Sequence, residues 1–297
     1  AAGDMTAVRS WDFEAVDAAG APLVRVRGLV NVFFHVPHRF YQLRRDPLAG
    51  WLGAPLAGPQ GTLLWKLDQL DEEFCAQSNA IFLRILAHAV LSFEEREAWR
   101  ALGRGVRRRR EWLLGRLAIK EAVRYALQAE HGEWLYPSDI VVRHDAQGAP
   151  FVDGWWTANE YRAPSVSLSH NSGFCLAALG GDGTAVGVDA EIVGRVQRPE
   201  WLATALTPAE GAWLAGRPAA AREVDVLRLW CAKEAAAKRL GCGLQGQPEA
   251  FEVAFVDSDA DEAVVRWGNV AVPVRVLRLD GSVIAVAEGD SRVNRVA

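Results

Sequence analysis

Leu117-Ala-Ile-Lys-Glu-Ala-Val-Arg-Tyr-Ala-Leu127 and Trp230-Cys-Ala-Lys-Glu-Ala-Ala-Ala-Lys-Arg-Leu240 superpose without a gap, sharing Lys-Glu-Ala and the final leucine. Both read as helix, and each is followed by turn residues and strands. Further along, Gly173-Phe-Cys-Leu-Ala-Ala resembles Gly281-Ser-Val-Ile-Ala-Val. A helix–strand–strand unit thus occurs twice, roughly 110 residues apart. Chance similarity in an alanine-rich chain is the competing explanation. A duplication implies an α+β fold of two pseudo-twofold-related halves, and the groove they share is the natural place for a site.

Composition limits the rest. The chain has 297 residues, half of them apolar and 24% charged, enough for one large domain or two ordinary ones. No apolar run approaches the ~20 residues of a membrane span. Four dispersed cysteines, Cys75, Cys175, Cys231 and Cys242, show no Cys-x-x-Cys spacing, which argues against a zinc site. Reduced thiols fit a cytoplasmic protein. A net charge of −4 speaks against nucleic acid as a partner. Lysine is scarce, 4 of 33 basic residues, and Lys120, Lys233 and Lys238 fall within the repeated segments.

Four units follow from the texture of the chain. Residues 1–60 form a β-rich segment, with an alternating strand at Val24–Val36 and a Pro/Gly-rich linker from Asp46 to Gly61. Residues 61–184 make the first half. Its expected elements are a strand at Thr62–Leu70, helices at Phe74–Val90, Ser92–Leu102 and Arg107–Gln128, and strands at Ser138–Arg143 and Pro164–Leu179. Ser92 and Glu95 have capping-box spacing. Residues 185–290 make the second half. It holds a strand at Ala185–Glu191, a helix start at Thr207-Pro-Ala-Glu210, a helix at Ala219–Leu240 and four strands between Phe251 and Ala287. Residues 291–297 are a tail.

Several residues are chemically suggestive. Asp189 and Glu191 are two apart in a strand and share a face, as hard oxygen ligands for Mg²⁺ or as a solvated pair. Glu234 and Lys238 are four apart in a helix, either a surface ion pair or a third carboxylate with a phosphate-binding cation. His170, between Ser169 and Asn171, is a structural histidine, a phosphate donor or a proton-transfer group. Arg104 and Arg107–Arg110 form a basic run, an anion site or a solvated helix start.

Taken in order, Trp112-Leu-Leu-Gly-Arg116, Gln147-Gly-Ala-Pro150, Leu168-Ser-His-Asn171, Val186-Gly-Val-Asp-Ala-Glu191 and Trp230-Cys-Ala-Lys-Glu-Ala-Ala-Ala-Lys238 resemble the 4′-phosphopantetheinyl transferases of the Sfp type, in the W/KEA form. The likeness spans about two-thirds of the chain, from about residue 90 to 288. It implies a fold of two related α/β halves and Mg²⁺-dependent transfer of phosphopantetheine from coenzyme A to a serine of an acyl carrier protein, releasing adenosine 3′,5′-bisphosphate. By the same resemblance, Asp189, Glu191 and Glu234 hold the metal and Lys238 stabilises the transferring phosphate; a base must take the serine proton, and Glu234, directly or through a metal-bound water, is the candidate. His170 matches a residue that contacts a phosphate of coenzyme A, with Ser169 beside it in the same binding role. Gly148 and Pro150 lie against the nucleotide, and Arg109 or Arg110 supplies an arginine expected near the Leu-Leu-Gly.

The sequence departs from that pattern where Asn171 replaces a serine and Ala149 a lysine. Lysines expected on the first helix correspond to Glu95 and Ala98. Val24–Pro37 with Phe40–Arg44 looks like the end of a dehydratase-like hot-dog domain. That reading makes the chain the C-terminal piece of an iterative, enediyne-like polyketide synthase, with its carrier protein upstream in the same polypeptide. The rival reading is a non-catalytic carrier-protein docking module that kept the fold.

Overall fold

The computed structural model describes residues 6–34, 36–59, 61–103, 105–154, 162–181, 184–195, 205–256 and 261–290. The tail 291–297 and Arg104 lie outside them. The chain opens with a long hairpin of β1 (Thr6–Val16) and β2 (Pro22–Phe34). Trp11 pairs with Leu29 and Phe13 with Val26, across a bulge at which the Gly28 N–H donates to Asp12. These rings and aliphatic chains share one face of the hairpin, while Glu14 and Arg25 pair on the other. Trp11 and Phe13 are about half exposed.

The Asp46–Gly61 stretch is not the expected linker. Helix α1 (His38–Arg45) precedes it and buries Phe40 and Leu43 against Phe74 and Phe82. Leu52 is also in this core, and β3 (Ala54–Leu56) pairs with β4 (Thr62–Asp68). Only three residues long and interrupted by Pro55, β3 carries too little alternation to be legible.

The first half continues with α2 (Glu72–Val90), α3 (Phe93–Ala101), α4 (Val106–His131), β5 (Ile140–His144), β6 (Pro150–Gly154), β7 (Ser165–His170) and β8 (Phe174–Gly180). Its main sheet runs β3-β4-β8-β7, with β5 and β6 paired beside it. Every β8 residue is buried, which explains its unbroken apolar sequence. The second half comprises β9 (Thr184–Ile192), α5 (Pro208–Ala215), α6 (Arg222–Leu240), β10 (Phe251–Phe255), β11 (Glu262–Trp267), β12 (Val270–Leu279) and β13 (Ser282–Asp290), in sheet order β10-β11-β12-β13-β9.

The repeat is real in three dimensions. Helices α4 and α6 both end on a left-handed glycine, Gly132 and Gly241. Each half buries the same polar device. Ser92 and Glu95 form a capping box, and so do Thr207 and Glu210. Lys120 reaches Glu95 at 2.5 Å, and Lys233 reaches Glu210 at 2.7 Å. The second oxygen of each glutamate accepts a strand amide, Val142 N–H in one half and Val253 N–H in the other. Each ammonium also caps backbone carbonyls, Val90 in the first case and Ala205 and Pro248 in the second. A lysine and a glutamate can be fully buried here because nearly every donor and acceptor has a partner.

The halves meet along β7 and β9. Each strand is an edge of its own sheet, so β9 presents amides without a strand partner there. Three alternate serines on β7 supply acceptors: Ser165, Ser167 and Ser169 take the N–H groups of Val186, Val188 and Ala190 at 3.0–3.2 Å. Beside this seam, Leu64, Phe174, Leu176 and Ala178 pack against Val188, Ala190, Ile284 and Val286 in a cluster shared by both halves.

Breaking one member of a buried ion pair leaves the other charge unpaired. Lys120→Met and Lys233→Met are therefore each expected to lower the unfolding free energy by about 3–5 kcal/mol. Urea denaturation of the two variants checks this, and similar losses in both halves are the expected outcome.

Candidate functional site

Helix α6 lies unusually close to β9. A Cβ built on Gly187 would stand 2.0 Å from the Ala235 carbonyl oxygen and 2.5 Å from the Arg239 nitrogen, so only glycine permits the contact. That approach sets the α6 side chains Glu234 and Lys238 beside Asp189 and Glu191 on the strand.

Asp189 is the buried member, 6% exposed. Its Oδ1 accepts from Lys238 Nζ at 2.7 Å and from Ser169 Oγ at 3.0 Å. Lys238 also donates to the Val188 carbonyl oxygen. Burial works against the Lys238 ammonium, but Asp189 and Glu234 outweigh it and hold its pKa above the ordinary value. Burial, then the charge on Asp189, pushes the Glu234 carboxyl upward. Glu191 is pushed up to about 7, first by burial and then by Asp189, with Glu234 adding to the effect. Three carboxylates thus crowd one ammonium.

Asp189 Oδ2 is buried and has no hydrogen-bond partner among the described residues. The Cys231 thiol faces the same carboxylate, but a thiol is a weak donor. Burial pushes the Cys231 thiol well above its usual range, so it is no nucleophile. An orphaned carboxylate oxygen, two further hard oxygen donors and their mutual repulsion fit a divalent cation of the Mg²⁺ type. As they stand, no three His, Cys, Asp or Glu side chains among the described residues converge in a ligating cluster. Lys238 lies against Asp189 and partly neutralises it instead.

A cleft of about 260 Å³ opens next to β7, lined by Arg108, Trp112, Arg116, His144, Leu168 and His170 among others. The Arg116 guanidinium lies over the Trp112 ring at 3.4 Å and faces His144 Nδ1 at 3.4 Å. Burial lowers Arg116 to about 10, opposed by Glu95, so it stays charged near neutral pH. Burial and then Arg116 lower His144, which favours the neutral imidazole. The cleft therefore offers guanidinium groups, two imidazoles and an indole face, with the one lining carboxylate, Glu111, paired to Arg107, and so suits an anionic ligand with a planar ring.

Of the expected site residues, Lys238 and Asp189 meet at 2.7 Å, and Glu191 and Glu234 lie within electrostatic reach of both. Ser169 and His170 point to different sides of β7. Strand alternation sends His170 into the cleft and the Ser169 hydroxyl into the seam, where it is 4% exposed. Arg109 and Arg110 do not line the cleft either. Arg109 stacks on Trp99 and donates to the Arg100 carbonyl oxygen, while Arg110 donates to that of Leu70. Arg108 and Arg116 face the cleft instead. Arg116 was visible only as the last residue of Trp112–Arg116, and a run of adjacent arginines does not reveal which faces inward. Gly148, at φ +85°, turns the β5–β6 hairpin, and Pro150 pairs with His144, which lines the cleft.

Among known families, residues 185–286 match the model described as ACPS, the 4′-phosphopantetheinyl transferase superfamily. The matched segment carries Asp189, Glu191, Glu234 and Lys238 on one frame of β9, α6 and β13. No curated protein matches the chain. No described helix is long and apolar enough to cross a membrane.

The raised Glu191 carboxyl has a thermodynamic consequence. Between its ordinary 4.5 and about 7, the folded protein holds a proton that the unfolded chain has released. Stability from this group is present below the lower value and declines as pH rises through the window. Glu191→Gln is expected to flatten that decline in a series of thermal melts without metal. Because carboxylate ligands must lose their protons, Mg²⁺ is expected to raise the melting temperature more at about pH 8 than at about pH 6.

Proposed function

We propose that this protein transfers 4′-phosphopantetheine from coenzyme A to a serine of an acyl carrier protein. The observation that carries the reading is the Asp189–Glu191–Glu234–Lys238 cluster, set by Gly187 within the segment that matches the transferase superfamily. A cleft next to β7, lined by Arg108, Arg116, His144 and His170, suits the phosphates and adenine of coenzyme A.

In this reading Asp189, Glu191 and Glu234 hold Mg²⁺. An ion held by these carboxylates would neutralise charge on the diphosphate of coenzyme A. Glu234 takes the proton from the carrier serine hydroxyl, and its upward-shifted pKa makes it a stronger base near neutral pH. The serine oxygen forms a bond to the pantetheine-bearing phosphorus. The bond from that phosphorus to the bridging oxygen breaks, and adenosine 3′,5′-bisphosphate leaves with its electron pair. Lys238, already charged and held by Asp189, stabilises negative charge on the transferring phosphate. His170, in the cleft, contacts a phosphate of coenzyme A. The exposed apolar face of the β1–β2 hairpin supports placing this chain beside another domain, such as the rest of a polyketide synthase.

Intact-mass spectrometry of an apo carrier protein, incubated with this protein, coenzyme A and Mg²⁺, tests the proposal. A gain of about 340 Da that EDTA abolishes is expected for phosphoryl transfer of this kind. Asp189→Ala and Glu234→Ala should each remove the gain while the protein stays folded. Full transfer by both variants would overturn the metal assignment. No gain with any carrier protein would favour a docking module.

A further inference from the structure

We propose that Ser169 is a positioning residue that fixes which oxygen of Asp189 is offered to the divalent cation, an inference that rests on the metal reading above. The three seam serines are not equivalent. Ser165, Ser167 and Ser169 each accept one β9 amide. Ser169 also donates, to Asp189 Oδ1 at 3.0 Å.

A hydroxyl has one donor and two lone pairs. Accepting from the Ala190 N–H therefore leaves the Ser169 proton free for the neighbouring carboxylate. Ala190 directly follows Asp189, so one side chain holds both the backbone and the carboxylate of the same short segment. Ser169 and Lys238 together take up Oδ1. Oδ2 is left buried and without a hydrogen-bond partner among the described residues. The serine is placed by the seam between the halves, and the carboxylate is placed by the serine. Docking of the first half on the second thereby sets the geometry of a site whose acids all belong to the second.

Mn²⁺ binding, followed by electron paramagnetic resonance in the presence of coenzyme A and with coenzyme A alone as the blank, tests this. Ser169→Ala is expected to weaken Mn²⁺ binding about tenfold or more, the usual effect of losing a partner that orients a ligand. Ser167→Ala removes a seam bond of the same kind but touches no carboxylate, and is expected to bind Mn²⁺ like the wild type. Both variants should show similar drops in melting temperature. Equal Mn²⁺ affinity in Ser169→Ala and the wild type would overturn the proposal. So would an equal loss in Ser167→Ala, which would make the effect a general one of the seam. Should Ser169→Ala not fold, Ser169→Thr and Ser169→Val replace it. They have nearly the same shape, and only the threonine is expected to keep the affinity. A wild-type protein that binds no Mn²⁺ would instead remove the metal reading itself, and this proposal with it.

Discussion

The close approach of α6 to β9 is the constraint on which the rest depends. A helix normally stands off a sheet by the thickness of its side chains. At Gly187 there is no side chain, and the helix backbone comes within contact of the strand. Glu234 and Lys238 thereby reach carboxylates that a larger residue would hold away. Burial then does the electrostatic work. It raises Glu191 and Glu234 toward their neutral forms, while Asp189 and Glu234 keep the Lys238 ammonium charged.

The same frame occurs in the first half with a different outcome. The helix repeat sets Glu121 opposite Glu234. The strand register sets Trp65, paired with Ala177, opposite Asp189, paired with Ala285. Glu121 is fully buried, yet its oxygens accept from the Leu52 and Gly53 amides and from Trp65 Nε1 at 2.7–2.9 Å. Those donors satisfy the carboxylate, whereas Asp189 Oδ2 has no hydrogen-bond partner among the described residues. Tyr125 takes the place of Lys238. A cavity of about 600 Å³ lies at this corresponding position, walled by Trp51, Trp65 and Tyr125. One half thus uses the frame for packing and the other for charge. The buried Lys–Glu pairs that hold each frame are common to both, as expected where an unpaired charge would be costly.

Pairing between the halves is unlike pairing within them. Inside each sheet, backbone groups bond to backbone. At the seam, serine hydroxyls on β7 take the β9 amides. Side-chain acceptors let two independently twisted sheets meet without a common strand register. They also bring a second donor into the site through Ser169.

Much of this was legible in the sequence. The repeated Lys-Glu-Ala helices, the capping boxes at Ser92 and Thr207 and the alternating strands follow from periodicity and local chemistry, which a chain carries within a few residues. The spacing of Asp189, Glu191, Glu234 and Lys238 left a solvated pair and a surface ion pair open, and only the resemblance of their motifs to a known family marked them as a site. Other features depended on neighbours distant along the chain. Helix α1 and the Pro/Gly-rich segment after it are ordered by packing on the first core. Alternation alone put Ser169 and His170 on opposite faces, but only the docking of β9 decided which face was the seam. Four adjacent arginines point around the whole helix. The positions of α3 and β7 decided that Arg109 would stack on Trp99 while Arg108 and Arg116 faced the cleft. Local chemistry is written in order along the chain, whereas the direction in which a side chain is used is set by whatever the fold packs against it.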